Sequence, residues 1–161
     1  MAVLRIDPLG VYNFYLTLLD SQATVGTLIT AAVNYFVAGF SECTGMEATF
    51  EVMQVKEGGL NTHVWQLPVR ASHSNITLKH GAIYAYDDLW DWHYSWVTGQ
   101  GTRKDGLIVL KDNSGQPAKM WKFKRGIPTK WVGPSLNAMQ SNVAIEALEI
   151  AHEGLELQLG A

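Results

Sequence analysis

Lys119-Met120-Trp121-Lys122-Phe123-Lys124-Arg125 alternates strictly: Trp121 and Phe123 fall on one face of an extended chain, Lys122 and Lys124 on the other. A period of two residues marks a strand with one buried face. The same period recurs outward from this stretch. Toward the C-terminus, Ile127 to Val132 reads as a further strand, stopped by Gly133-Pro134. Toward the N-terminus, Leu107 to Lys111 reads as a strand joined through the turn Asp112-Asn113-Ser114-Gly115. Ala48 to Lys56 sets Phe50, Val52 and Gln54 against Glu51, Met53 and Val55 and breaks at Gly58-Gly59. Val11 to Leu19, Tyr35 to Ser41, His63 to Val69 and Asn75 to Lys79 complete the set. Pro68 points to an edge position, because proline donates no ladder hydrogen bond.

One segment changes period. Asp87 or Asp88 can cap a helix that runs to about Val97, with Leu89, Trp92, His93 and Trp96 at i, i+3, i+4 and i+7. Gly99 stands where a left-handed C-terminal cap belongs. The single apolar stripe predicts a helix that packs on a sheet. Ser141 to Gly154 holds strong helix formers behind a capping Ser or Asn, and propensity alone predicts a second helix. The expected architecture is mainly β in an α+β chain, one domain over residues 1–161, with no internal repeat or linker.

The 161 residues are 47% hydrophobic, ample for a core, but only 17% charged against about 25% in an average soluble domain. With six Trp and six Tyr, this favours self-association over a free monomer. A net charge of −3 gives no sign of a nucleic-acid-binding protein. Cys43 is the single cysteine, which excludes an intrachain disulfide and a Cys-rich zinc site. The N-terminal stretch lacks the apolar core of a signal peptide. Ser21 to Ser41 is uncharged and reaches membrane-spanning length, but Gln22, Asn34, Gly26 and Gly39 interrupt it, so no membrane insertion is expected.

Catalytic patterns are missing from the sequence. The five histidines form no metal-binding spacing, and Gly99 to Lys104 follows a helix and lacks the ending of a phosphate loop. Asp87, Asp88, Asp91 and His93 are the most enzyme-like grouping, yet acids in a first helical turn are favoured by the helix dipole. No catalytic, cofactor-binding or metal-binding residue is expected. Lys119, Lys122, Lys124, Arg125 and Lys130 interleave with Trp121, Phe123 and Trp131, a pattern that can hold single-stranded nucleic acid. The more ordinary readings are a solvated strand face or one half of a charge-matched contact with Glu146, Glu149, Glu153 and Glu156.

Taken in order, several pieces carry a resemblance. They are Asp7-Pro8 before an aromatic strand, Ala38 to Glu47, Glu57-Gly58-Gly59, Leu67-Pro68 and Asn75 to Gly81. Leu89 to Trp92, Arg103 to Gly106, Trp121 to Phe123, Pro128 to Trp131 and Ala151 to Gly154 follow. Together they resemble the tail tube (inner tube) proteins of contractile phage tails and phage-tail-like contractile injection systems. The uncharged Ser21 to Asn34 segment is longer than that family's usual link between its first two strands.

The resemblance implies an antiparallel β-sandwich or barrel subunit whose sheets join between subunits into a tube-lining barrel. It implies that Asn142 to about His152 is a strand, against propensity. It also implies a non-enzymatic building block without cofactors. Hexameric rings of such a subunit stack into a hollow tube that a contracting sheath drives through a target envelope. Implied partners are further copies of the chain, a sheath protein, baseplate or spike and tube-terminating proteins, and a luminal cargo of effector or DNA. Assembly in the cytoplasm is expected, in a particle then released or anchored in the envelope. On this reading Glu47 to Leu60, with Lys56, Glu57, Gly58 and Gly59 at its tip, contacts the next ring. Lys119, Lys122, Lys124, Glu146 and Glu149 make charge-matched contacts or line the lumen, while Leu89, Trp92, His93 and Trp96 pack the helix. The alternative is a free monomeric β-rich module binding carbohydrate or protein.

Overall fold

The computed structural model describes residues 9–20, 40–82 and 88–158. Its elements are β1 (Phe14–Asp20), β2 (Phe40–Thr44), β3 (Ala48–Val55), β4 (Trp65–His73), β5 (Ile76–Gly81), α1 (Asp88–Val97), β6 (Lys104–Lys111), β7 (Pro117–Val132), β8 (Ile145–Ala151) and β9 (Gly154–Gln158).

The two strands expected over 119–132 are one 16-residue strand, β7, and its bend organises the molecule. At the bend Arg125 takes a left-handed φ of 52°. A Cβ on Gly126 would lie 2.8 Å from the Phe123 ring and 3.0 Å from the Lys104 carbonyl oxygen, so a side chain has no room there. Before the bend β7 pairs with β6 and β9; after it, β7 pairs with β8. One strand thereby serves two antiparallel layers, β1-β6-β7-β9 and β7-β8-β5-β2. A strand that switches sheets at a bend is how sandwich corners are made. Leu16, Ile108 and Phe123 from the first layer meet Phe40, Ile76, Leu78, Leu148 and Ile150 from the second, and α1 adds Leu89 and Trp92. The opposite face of the first layer buries a second cluster of Tyr15, Leu107 and Val109 with Met120 against it.

The helix follows its sequence signals. Leu89 and Trp92 are buried, Trp96 packs against the core, and the Trp92 indole donates to the Thr102 carbonyl at 2.9 Å. Gly99, with φ of 78°, closes the C-terminus. Other limits differ from expectation. β1 begins at Phe14 because residues 11–13 form a turn and bend, and β4 runs on to His73 through Pro68. β2 extends to Thr44; residues 35–39 and the uncharged segment before them lie outside the described residues. The helix expected from propensity over 141–154 is instead β8, as the resemblance implied. Leu148 and Ile150 alternate into the core while β8 pairs with β5 on one side and β7 on the other. Two ladders and a buried face outweigh propensity differences of at most about 0.7 kcal/mol per residue. β9, which the sequence reading did not anticipate, lies along the first half of β7.

Candidate assembly surface

β3 and β4 form a sheet of their own, a two-stranded antiparallel ribbon outside the main layers. Both connections to the body leave at the same end of β5. β2 ends with Thr44 opposite Thr77, and β4 returns through Ser74-Asn75 into Ile76. The root is tight. Gly45 has φ of 84°, and a Cβ there would sit 2.0 Å from the Asn75 carbonyl oxygen, so only glycine fits. The Ser74 amide donates to the Glu47 carbonyl at 3.3 Å and its hydroxyl to the Glu47 carboxylate at 3.2 Å. Asn75 Nδ2 ties the root to Glu149 on β8 at 2.7 Å.

Register decides the ribbon's faces. Phe50 sits opposite Ala71 and Val52 opposite Pro68 on one face; Met53 opposite Leu67 and Val55 opposite Trp65 on the other. The register shifts between Glu51 and Val52, where Val69 is the extra residue opposite. That bulge accommodates Pro68, which cannot donate to the ladder. At the tip Gly58-Gly59 turns the chain, with φ of 89° at Gly59, and the Trp65 indole donates to Glu57 at 3.1 Å. Every residue of β3 is exposed, and every residue of β4 except His73. Phe50 is 68% exposed, Met53 52%, Trp65 49% and Val69 55%. A ribbon apolar on both faces and open to water on both is marginally stable alone, and a contiguous apolar patch of this kind marks an interaction surface.

Residues 11–156 match the family described as T4-like virus tail tube protein gp19. The chain belongs to that tail tube family. Among solved structures, the tail tube chain is similar to a chain of the anti-feeding prophage (AFP) baseplate, with a TM-score of 0.80 at 21% identity over 96% of this chain and 97% of that one. It is similar to a chain of the PVC sheath-tube complex of an extracellular contractile injection system in its extended state, with a TM-score of 0.76 at 21% identity over 95% and 93%. A type six secretion system protein shares the fold at a TM-score of 0.54 and 12% identity, over 91% and 83%. No curated protein matches the chain by sequence.

The residues singled out in the sequence of this tail tube protein are dispersed. Lys56 to Gly59 form the exposed ribbon tip. Lys119 and Lys130 are exposed, whereas Lys122 is buried and pairs with buried Asp105 at 3.1 Å on the outward face of the first layer. Asp105 also accepts the Arg125 amide at 2.9 Å, which holds the β7 bend. The partner of Lys122 thus comes from the adjacent strand of its own chain. Lys124 reaches Glu156, and Arg125 and Arg103 converge on Glu153 at 2.9 and 2.6 Å. Glu146 lies 3.8 Å from His80. Asp88 and Asp91 stand in the first turn of α1; Asp87 lies outside the described residues. Among the described residues no three His, Cys, Asp or Glu cluster to hold a metal, and no helix is long and apolar enough to cross a membrane. Burial pushes the Cys43 thiol up to about 11, so it is an inert neighbour of the core.

The expected contact over Glu47 to Leu60 covers β3, but only the tip residues Lys56 to Gly59 were singled out, and the exposed apolar side chains of β3 and β4 were not. Their signal was present: Phe50 and Val52 alternate with Met53 and Val55, so neither face is polar, which a half-solvated strand avoids. Of the tryptophans, Trp92 is buried in the core and Trp96, Trp121 and Trp131 pack against it. Trp90, 39% exposed, instead stacks on Tyr94 at 5.8 Å and meets Trp131 edge-on at 4.6 Å.

Proposed function

We propose that the chain is the structural subunit of the inner tube of a contractile injection system or phage tail. It forms hexameric rings, edge strands join into a barrel around a lumen, and rings stack into a rigid tube. A contracting sheath drives that tube through a target envelope with an effector protein or DNA as cargo. The subunit has no enzymatic role. Its partners are copies of itself, the sheath, baseplate or spike, and tube-terminating proteins. Assembly takes place in the cytoplasm.

The observation that carries this reading is the projecting β3-β4 ribbon, apolar on both faces, in a member of the tail tube family. Such a ribbon is stable only when covered, and stacked rings cover it. Family membership favours this over a free carbohydrate-binding module. Negative-stain microscopy and light scattering of the purified chain test it. The expected result is six-fold rings and tubes; a monodisperse monomer at high concentration overturns it.

A further inference from the structure

Two histidines from distant parts of the chain meet where the β3-β4 ribbon joins the body. His73 ends β4 and is its one residue that is not exposed; His152 stands between β8 and β9. Their ring centres are 5.5 Å apart. On its other side the His152 ring lies 5.9 Å from that of Phe123, which is fully buried against the β7 bend. A line of three rings therefore runs from the ribbon root into the core.

The pair is built for the uncharged state. His152 Nδ1 donates to the Gly154 carbonyl at 3.1 Å, which leaves Nε2 with a lone pair. That nitrogen and His73 Nδ1 are both buried without a partner. The charged groups of the surrounding elements are engaged elsewhere. Glu47, before β3, accepts the Ser74 hydroxyl, and Glu149 on β8 accepts the Asn75 amide. On β7, Arg125 pairs with Glu153 and Lys124 with Glu156 of β9. Protonating both imidazoles would set two like charges side by side where burial removes their water. In an opened root each ring takes its proton in water, near the ordinary imidazole value of about 6.5, so acid favours opening. Burial first, and the charge of His73 with it, hold the His152 pKa down; the Gly154 and Ser74 backbones act the other way without reversing it. The ribbon belongs to neither layer, so its root can open without breaking a ladder of either.

We infer that His73 and His152 form a pH-sensitive latch: neutral, they pack the ribbon root on the body, and below about pH 6 their protonation releases the root while the two layers stay folded. The latch acts within one subunit and holds whether or not rings form.

Hydrogen exchange of the full chain tests it, read by mass spectrometry at about pH 8 and about pH 5 and corrected for the intrinsic effect of pH on exchange. The reporter is the Ser74 amide, which donates to the Glu47 carbonyl at 3.3 Å. Protection over residues 72–76 is expected to fall about tenfold or more in acid, with Leu107 to Val109 unchanged. The variant His73→Phe/His152→Asn, which keeps an amide donor near Gly154, is expected to abolish the fall. Equal protection at both pH values, a fall shared by Leu107 to Val109, or a fall that persists in the double variant overturns the inference. Should that variant not fold, ring-proton NMR of the unaltered chain decides. Histidine titration in step with the loss of protection at Ser74 supports the latch; titration with no change at Ser74 overturns it.

Discussion

Lys122 and Lys124 share one strand face yet differ in energetic weight, because Lys122 is buried with Asp105 and Lys124 is half exposed beside Glu156. Lys122→Met strands the Asp105 carboxylate in the interior and is expected to cost about 3–5 kcal/mol in urea unfolding. Lys124→Met removes an exposed pair and is expected to cost about 1 kcal/mol or less. Comparable losses from both would show that Asp105 finds water or another donor. Trp92→Ala leaves a cavity under α1 and frees the Thr102 carbonyl, with an expected loss of about 3–5 kcal/mol. His152 adds a pH dependence. Its Nε2 is buried without a partner, as is Nδ1 of His73, whose ring is 5.5 Å away. Burial first, then the charge of His73, lower the His152 pKa below the usual imidazole value, against a bond to the Gly154 carbonyl that raises it. The unfolded chain therefore binds its proton first as pH falls, and stability drops from about pH 6.5 downward until the folded state titrates too. Melting temperatures from about pH 8 to about pH 5 are expected to fall less steeply in His152→Asn; an unchanged slope would assign the acid sensitivity to other groups.

Among the elements, the β3-β4 ribbon is separable from the fold. Deleting Glu57 to Gly59, or changing Met53 and Leu67 to Ser, removes side chains that lie outside the core clusters of the described residues. The expected shift in unfolding free energy of the Met53/Leu67 variant is within about 0.5 kcal/mol, with tubes lost from micrographs. Normal tubes from either variant would free the ribbon from any stacking role. The helix shows how far periodicity reaches. Leu89 and Trp92 fall inward as the stripe predicts, whereas Trp90 and Tyr94 fall outward and join Trp131, which no local pattern linked to them. β8 shows the converse. Glu146, Ala147 and Leu148 are good helix formers, and only ladders to β5 and β7 make them a strand.

At the scale of the whole molecule, many ion pairs of the basic and acidic stretches close within the subunit, while the 133–144 loop is uncharged and the ribbon exposes mainly apolar side chains. Assembly is therefore expected to withstand ~1 M salt, where the Debye length is about 3 Å, and to be favoured by sulfate. Tubes that dissolve in sodium chloride would return the weight to charge-matched contacts such as those considered for Lys119 and Glu149. The topology also sets the folding rate. β1 pairs with β6 some distance along the chain, Phe14 opposite Leu110, and β7 cannot complete either layer until β8 and β9 arrive. Such non-local pairing predicts refolding in milliseconds to seconds by stopped-flow fluorescence.

Local chemistry in the sequence was enough to determine the β character, the single described helix with its Gly99 end, and the Gly58-Gly59 tip. Each depends on residues within a few positions of one another, through period, cap or turn. Tertiary structure alone decided the rest. It made one bent strand of two at Arg125-Gly126, turned 145–151 from helix former to strand, buried Lys122 against Asp105 and left the ribbon uncovered. Those outcomes depend on which distant segments pair, and period two reads the same for a strand covered on both faces, on one, or on none.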